Sequence, residues 1–483
     1  MHIPLDAVAA AGRGGTFGFR QIGGRGRWRG AAIAAAGAVT AWLTVASAHA
    51  QTFDARPTAH YVTVRGDSLY EVAQRYLTDP SGWRALAGLN HISVPRRLPA
   101  GMVLRVPISL LRRDAAPVSV VAMSGLVTMK SLGRSADKAA APAIPLLPGR
   151  TLGENDAVTT GPDGFATLET ADGSYVSLTP NSSIVLSILR KMVLTGINER
   201  VIELRKGEVT NEVTHAKQPG DRFEVRTPSI VAGVRGTHFR VNVAPTMTAV
   251  EVLEGNVALG ATTDTTGKTD APAAASQWVA AGEGSATPSG SAIGAPKRLL
   301  PAPRLVDPSK VQDGRAVTFD VVPAANAGGY RVQIARDAAL LDLIRDARVE
   351  APKAVFADVP DGTYFVRVSA IAADGLEGMP RVYAFERRAN ELTATAAPSA
   401  GSHKYHFIWR VSRADADVRY RFVLSAHRDL HDPLVDAVDL TSPSLVVSDL
   451  PPGDYYWRVV AEQYDGGRFY ETFGPVRAFT LAN

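Results

Sequence analysis

The sequence predicts a mainly β, multidomain protein with one small β-α-α-β module near its start and two β-sandwiches at its end. Three observations support this prediction. The chain has 483 residues, which is too long for one hydrophobic core. Between residues 150 and 260, strand-like runs recur at spacings near ten residues and are separated by Gly turns. After residue 298, a unit of about 90 residues occurs twice.

The first 50 residues have the features of an export signal. Several Arg residues precede an apolar run at residues 31–46, and Ala48-His49-Ala50 forms a small-x-small cleavage site. We therefore predict a signal peptide at residues 1–50 and a mature chain that begins at Gln51. The alternative is a retained membrane anchor, although the run is short for a spanning helix.

Charge and cysteine content exclude several kinds of site. The formal net charge is +5, and residues 1–50 contain five Arg and one Asp, so the rest of the chain is nearly neutral. A nucleic-acid partner is therefore not predicted. The chain contains no Cys, which excludes disulfides, thiolate metal sites and Cys nucleophiles.

Residues 60–107 predict the β-α-α-β module. Tyr61–Val64 is a short β-branched strand, and Gly66–Ser68 is a turn whose Asp or Ser can cap a helix with Glu71 downstream. Apolar residues then recur at helical spacing on both sides of a Pro-Ser-Gly break. A second strand, Val103–Pro107, closes the module.

This module resembles a LysM domain. The positions that match the family in order are Tyr61, Gly66-Asp67-Ser68-Leu69, Trp83, Leu89-Asn90, Leu98, Gly101, Leu104 and Val106-Pro107. The resemblance implies binding of N-acetylglucosamine glycans, above all peptidoglycan, in a shallow groove between the β1–α1 loop and the α2–β2 loop. The implied glycan-binding residues are Gly66, Asp67, Ser68, Leu69, Asn90, His91 and Ile92. The alternative is that these residues only shape the turns and the core.

Residues 113–262 predict an all-β domain. Phe165–Glu169 alternates in polarity and is followed by an Asp-Gly hairpin turn at Asp172-Gly173. Near the end of the domain, Gly233-Val234-Arg235-Gly236-Thr237 joins two β-rich segments, which indicates a strand, a Gly-permitted kink and a second strand. Arg235 can bind a carboxylate of a partner, or it can donate hydrogen bonds to neighbouring carbonyls and hold adjacent strands in place. We favour the second, structural role.

Residues 146–260 resemble a FecR-type domain. The matching positions, in family order, are Thr159, Gly161, Asp172-Gly173-Ser174, Leu204, Gly207, Val209, Thr227-Pro228 and the motif residues Gly233, Arg235, Gly236 and Thr237. Sensor members of this family are periplasmic parts of anti-sigma regulators. Those regulators carry a helical cytoplasmic segment before one membrane helix, and this chain offers only a Gly/Arg-rich leader there.

A tract rich in Thr, Ala, Gly and Ser predicts a linker at residues 263–297. The repeated units that follow, at 298–389 and 390–483, resemble fibronectin type III or immunoglobulin-like domains. Tyr330 aligns with Tyr420 and Phe319 with Trp409. Their alternating strands predict β-sandwiches, with Trp457, Trp409, Phe365 and Phe319 in the cores.

No catalytic constellation is recognisable in the sequence. Ser229, His238 and Asp221 are close in sequence, but His238 alternates along a strand and is predicted to face solvent, and Ser229 lies in no nucleophile elbow. The ten His are scattered without ligand spacing, so neither a metal nor a cofactor is predicted.

These features predict an exported, non-catalytic envelope protein with a LysM module at 51–112 and a FecR-like domain at 113–262. The module would bind peptidoglycan or a related glycan, and the β domains would meet an unidentified envelope protein in the periplasm. One alternative is a membrane-anchored FecR-type sensor. A second is an accessory protein of a cell-wall hydrolase.

Overall fold

The computed structural model describes residues 57–133, 142–262, 276–308, 311–398, 404–413 and 417–482. The predicted signal peptide at 1–50 lies outside these residues. The fold is mainly β, as the sequence predicts, and the helices of the described part all fall between Leu69 and Leu110. No helix in that part is long and apolar enough to cross a membrane.

The first module has the predicted element order. Its elements are β1 (Thr58–Val62), α1 (Leu69–Tyr76), a 3₁₀ turn (Pro80–Gly82), α2 (Trp83–Leu89), β2 (Val103–Pro107) and a second 3₁₀ turn (Ile108–Leu110). Strands β1 and β2 pair antiparallel, with Tyr61 opposite Leu104. Helix α1 begins at a capping box, because the Ser68 hydroxyl accepts from the Glu71 amide and the Glu71 carboxylate accepts from the Ser68 amide.

The next strands close into a barrel around one core. They are β3 (Arg113–Ala115), β4 (Val118–Ser124), β5 (Val127–Ser131), β6 (Ile144–Pro145), β7 (Thr151–Leu152), β8 (Asp156–Thr160), β9 (Phe165–Glu169), β10 (Tyr175–Leu178), β11 (Ser183–Met192), β12 (Asn198–Glu212), β13 (Arg222–Arg226), β14 (Ile230–Val234), β15 (His238–Ala244), β16 (Met247–Glu254), β17 (Asn256–Ala261), β18 (Gln277–Ala280), β19 (Glu283–Pro288) and β20 (Lys297–Arg298).

The long strand β12 belongs to both sheets of the barrel. Its first half pairs with β11 and, in parallel, with β13, whereas its second half pairs with β10 and β15. The change occurs at Gly207, whose φ is +79°. A Cβ there would lie 2.5 Å from Ser182 Cα, so the crossing needs glycine.

The predicted linker at 263–297 is wrong over its second half. Residues 263–275 lie outside the described part, but β18 pairs with β17 and β19 pairs with β16. The small residues of this tract are suited to close packing: Val279, Ser285 and Thr287 are buried. The composition of the tract predicts a linker, but the same small residues pair as strands against β16 and β17.

The C-terminal region contains two further β units with separate cores. The first has β21 (Val311–Gln312), β22 (Val317–Asp320), β23 (Ala327–Ala335), β24 (Leu343–Val349), β25 (Lys353–Phe356), β26 (Gly362–Ala372) and β27 (Arg381–Arg387). The second has β28 (Leu392–Pro398), β29 (Lys404–Val411), β30 (Val418–Ser425), β31 (Val435–Leu440), β32 (Ser444–Ser448), β33 (Gly453–Asp465), β34 (Arg468–Phe473) and β35 (Arg477–Leu481).

Core assignments in the two units were correct except for Phe365. Trp457, Trp409 and Phe319 are buried in their own clusters. Phe365 lies on the other face of β26 and packs against a cluster that includes Phe165 of the barrel. Counted from Gly362 and Gly453, which open the two strands, Val366 is the counterpart of Trp457, so the predicted alignment was one residue out of register.

The first module packs directly on the barrel. Met192 and Ile197, at the tip of the β11–β12 hairpin, belong to the same apolar cluster as Leu69, Leu86 and Leu104 of the module. The Val193 amide, just past the end of β11, also donates to the Arg112 carbonyl of the module (3.1 Å). The module and the barrel therefore share one hydrophobic cluster.

The barrel also packs on the first of the two C-terminal units, whose two sheets (β21-β27-β26-β23-β24 and β22-β25) form the first sandwich. The Ser124 hydroxyl donates to the Leu343 carbonyl (2.7 Å), and the Thr167 hydroxyl donates to the Leu341 carbonyl (2.6 Å). A second apolar cluster joins Leu253 of β16 to Leu376 of the sandwich. The outward face of the barrel sheet that contains β10, β12, β15 and β16 is thus covered by protein.

Candidate functional site

The β1–α1 loop of the first module is shaped by Gly66 and Asp67. Gly66 has φ of +98°, which glycine adopts without strain. Asp67 is only 4% exposed, and its carboxylate accepts from the Tyr61 hydroxyl (2.7 Å) and the Val64 amide (2.8 Å). Burial and this bond to Asp67 raise the pKa of Tyr61 to about 12. The Asp67 carboxylate therefore holds the turn in place.

Backbone hydrogen bonds join this loop to the loop that follows α2. The Leu69 amide donates to the Pro95 carbonyl (2.8 Å), and the Leu98 amide donates to the Asp67 carbonyl (3.0 Å). Leu69 itself is fully buried in the module core. The two loops that the LysM resemblance implicates are therefore adjacent, and they meet at residues 95–98.

Asn90 fastens the end of α2 to β2. Its Nδ2 donates to the carbonyls of Leu86 (2.9 Å) and Arg105 (2.8 Å), and its Oδ1 accepts from the Arg105 amide (2.7 Å). His91 is exposed with φ of +51°, and Ile92 packs against the module core. The side chains of Asp67, Leu69 and Asn90 are thus engaged within the fold, whereas Gly66, Ser68 and His91 reach the surface.

Several surface residues near these loops were missed by the sequence reasoning. Val64 and Val94 are 56% and 60% exposed, one in each of the joined loops. Tyr70 packs against Trp83 with ring centroids 4.7 Å apart, and the guanidinium of Arg84 lies over Trp83 at 4.8 Å. Tyr70 falls outside the apolar helical period that begins at Leu69, and this signal could have identified it as exposed.

The second predicted motif forms the turn between β14 and β15. Gly236 has φ of +90°, and a Cβ there would lie 2.7 Å from His215 Cα. Gly233 is an ordinary strand residue whose Cβ would meet nothing closer than 3.9 Å. Arg235 is exposed and donates to the Pro219 carbonyl. Thr237 is buried, and its hydroxyl donates to the Asn256 carbonyl (3.0 Å).

His238, which the sequence predicted to face solvent, is only partly exposed, because the first sandwich covers its side of the barrel. Its side chain lines a cleft with Arg367 of β26. Burial, together with the guanidiniums of Arg367 and Arg240, lowers the pKa of His238 to about 4. Asp221 binds backbone amides of Asn198, Lys217 and Gln218 instead, so its carboxylate is engaged away from an imidazole.

A layer of buried charges lies between the barrel and the first sandwich. Arg240 Nη1 donates to Glu377 Oε1 (2.5 Å), and Arg331 Nη1 donates to Glu377 Oε2 (2.8 Å). Arg331 also pairs with Asp346 (2.5 Å) and with Glu208 of β12. Burial opposes ionisation of Glu377, but Arg240, Arg331 and Arg348 together hold its pKa well below the usual range.

Glu251 is the member of this layer with the weakest ion pair. Its carboxylate accepts from the Glu377 amide (3.1 Å), while Arg240 Nε lies 3.9 Å away. Burial raises the pKa of Glu251 from 4.5 to about 7. The neutral Glu251 carboxyl group is the form that the folded protein favours. Its contribution to the free energy of unfolding is therefore complete below pH 4.5 and is lost as the pH rises through 7.

We expect Glu251→Gln to remove this pH dependence, because a neutral amide can still accept from the Glu377 amide. Relative to the variant, the wild type should lose roughly 2–3 kcal/mol of unfolding free energy between pH 5 and pH 8. Urea unfolding of both proteins across this range measures the difference. Glu471→Gln, at an exposed position of the last sandwich, is the control. A constant difference between wild type and Glu251→Gln would contradict the assignment.

Family models match two parts of the chain in the predicted order. Residues 61–107 match the LysM domain, and residues 156–258 match the FecR protein family. The chain therefore contains a LysM domain followed by a FecR domain. No curated protein matches the sequence. In the described residues, no group of three His, Asp or Glu side chains could hold a metal ion.

Several solved structures are similar over part of the chain. Two structures of a protein named as an anti-sigma factor from Parabacteroides distasonis align at 19% identity over 29% of this chain, with a TM-score of 0.23. The FN1–FN3 domains of chicken CNTN1 align at 15% identity over 58% of this chain and 95% of that chain (TM-score 0.19). Fibronectin(III)-like modules of Clostridium thermocellum CbhA align at 14% over 36% and 90% (TM-score 0.19). The chain spans 59% of the length of the anti-sigma factor structures.

Proposed function

We propose that this chain is a non-catalytic envelope protein that binds peptidoglycan, or another N-acetylglucosamine glycan, through its LysM domain. The FecR domain and the two sandwiches are displayed to a protein partner. The LysM match at residues 61–107 carries the proposal. Export through a signal peptide at residues 1–50 and a periplasmic location belong to the same proposal.

The joined loops of the LysM domain support glycan binding. The backbone bonds at Pro95 and Leu98 hold both loops in a fixed relation before any ligand arrives. A preformed site loses less entropy on binding. Val64 and Val94 present apolar surface there, which suits the faces of sugar rings and the methyl groups of acetamido substituents.

Co-sedimentation with purified sacculi tests the proposal. The chain from Gln51 onward is the appropriate material, because the LysM core includes Met192 and Ile197 of the barrel and an isolated module would expose that contact. We expect the protein to pellet with sacculi at neutral pH and low salt. Recovery of all protein in the supernatant would overturn glycan binding.

A matched pair of substitutions locates the binding surface. Val94→Asp places a charge in the loop that follows α2, and we expect it to weaken sacculus binding by about tenfold, equivalent to roughly 1.4 kcal/mol. Val355→Asp makes the same change at a valine of similar exposure in the first sandwich (57% against 60%) and should bind as the wild type does. Equal binding by the two variants would place the glycan elsewhere.

The FecR match favours a second candidate, a signal-transducing sensor that keeps its N-terminal segment as a membrane anchor. The two candidates differ in the mature N-terminus. Mass spectrometry of protein from the native host should find a chain that starts at Gln51 if the leader is removed. A mature chain that retains residues 31–46 would favour the sensor.

A further inference from the structure

A narrow cleft separates the FecR barrel from the first sandwich. Its space of about 310 Å³ includes open solvent at the mouth, so the enclosed part is much smaller. The barrel contributes Tyr175, Ser177, Thr210, Glu212 and His238, and the sandwich contributes Ala339, Leu340, Leu341, Leu343 and Arg367. None of these residues belongs to the proposed glycan site.

Arg367 brings a buried positive charge to this cleft without a carboxylate of its own. Its Nε and Nη2 both donate to Gln333 Oε1 (2.8 and 2.6 Å), and it forms no ion pair within the part of the chain that the structure describes. Arg240 and Arg331 nearby both pair with Glu377. A buried cation is costly unless an anion compensates it. Burial, reinforced by Arg331, lowers the pKa of Arg367 to about 10.

Two further polar groups in the cleft lack partners. The hydroxyl of Thr210 is buried and makes no hydrogen bond, although such groups are normally satisfied. The ring of His238 makes no hydrogen bond to any described residue, and at neutral pH it is uncharged and offers one N–H. The lining also includes Glu212, an exposed residue whose carboxylate would repel an anion.

The remaining wall of the cleft is apolar and firmly positioned. Leu340 has φ of +61°, which is uncommon for leucine, and its side chain is buried against Phe165 and Leu343. The Leu341 amide donates to the Asp337 carboxylate (3.1 Å), and the Leu341 carbonyl accepts from Thr167. A small cleft with one guanidinium, two free polar groups and an apolar wall fits one organic anion with a short apolar stem.

We propose that this cleft binds a single carboxylate group. Arg367 supplies the opposite charge, and Thr210 and His238 supply hydrogen bonds. The carboxylate can come from a free small acid or from the C-terminus of a peptide, since both present the same chemistry to the cleft.

The imidazole resonance of His238 in the full-length protein reports on the cleft directly. It is assigned by its loss in His238→Gln. Titration with sodium acetate at constant ionic strength and neutral pH should shift this resonance with a dissociation constant on the order of millimolar. Sodium chloride in place of acetate should give a much smaller shift. A His238 resonance that ignores acetate, or that responds equally to chloride, overturns the proposal.

Three substitutions test the assigned roles. Arg367→Gln should weaken acetate binding by at least about tenfold, whereas Arg421→Gln, which removes an exposed Arg of the last sandwich, should leave it unchanged. If Arg367→Gln does not fold, Thr210→Val removes one hydrogen bond and should weaken binding about threefold to tenfold. Glu212→Gln removes a repelling charge from the lining and should strengthen binding about twofold. Unchanged affinity in Arg367→Gln, or in Thr210→Val where Arg367→Gln does not fold, contradicts the site.

The source of the carboxylate is distinguished by peptides. A tripeptide with a free C-terminus should shift the His238 resonance in the way that acetate does, and the same tripeptide with an amidated C-terminus should not. If acetate shifts the resonance and the free tripeptide does not, the cleft takes only small acids. An equal response to the amidated tripeptide would show that the carboxylate is not what is bound, and it would overturn the assignment.

Discussion

Gly236→Val is expected to destabilise the FecR barrel by on the order of 4 kcal/mol. Two costs contribute. The φ of +90° is strained for any β-branched residue, and the new Cβ would lie 2.7 Å from His215 Cα, which is backbone and cannot move aside alone. Urea unfolding and limited proteolysis of the variant measure the loss.

Alanine at the two motif glycines provides a matched comparison. Gly236→Ala adds the same clashing Cβ, whereas Gly233→Ala adds a Cβ with no neighbour closer than 3.9 Å in a strand of ordinary geometry. We expect a clear loss of unfolding free energy for the first and a change within about 1 kcal/mol for the second. Equal stability of the two variants would show that the backbone at Gly236 can relax.

Trp457→Ala should cost about 3–5 kcal/mol in the last sandwich, the range for emptying a buried aromatic site. Trp457 is 2% exposed, and its ring packs edge-on against Phe407 with centroids 4.9 Å apart. Because the last sandwich and its neighbour have separate core clusters, the loss should stay largely within residues 390–482.

Hydrogen exchange of the full-length protein, resolved by segment, separates these regions. Protection should fall in β29, β30 and β33 and change little in β23 and β26. Tyr464→Ala is the control, because this aromatic residue lies on the same strand but is 65% exposed. An equal loss of protection in both sandwiches would mean that the junction between them couples their folding.

Sequence patterns predicted the turns, the helix cap and most strand faces because these features depend on residues that are close together in the chain. The turn at Gly66 and the cap at Ser68 depend on neighbouring residues, and so does the kink at Gly236. Alternation along β33 correctly placed Trp457 inside. The same alternation failed at Phe365, where a shift of one residue reverses the face.

What the sequence could not reveal is which outward faces are covered. Arg240 and Glu251 alternate with core residues along β15 and β16, so they have the pattern of solvent-facing strand residues. The structure buries both under the first sandwich, as it does His238 in part. Alternation with a period of two shows on which face of a strand a residue lies, but it does not show whether another part of the protein covers that face. The cleft at Arg367 was therefore invisible in the sequence.

The prediction of the glycan-binding residues was limited for a similar reason. A family motif marks positions that matter, but it does not separate residues that shape a loop from residues that face outward. Asp67 and Asn90 bind backbone groups within the module, whereas Val64 and Val94 are the exposed apolar side chains of the joined loops. Only the structure separates the residues that shape the loops from those that face outward.

The shared core between the LysM domain and the barrel has a mechanical consequence. Residues 108–112 alone separate β2 from β3, and Met192 and Ile197 are packed into the module. If the chain is held on the cell wall through residues 61–107, as proposed, this packing restrains rotation of the barrel relative to the LysM domain. Attachment to the wall would then also restrict the direction in which the barrel projects from it.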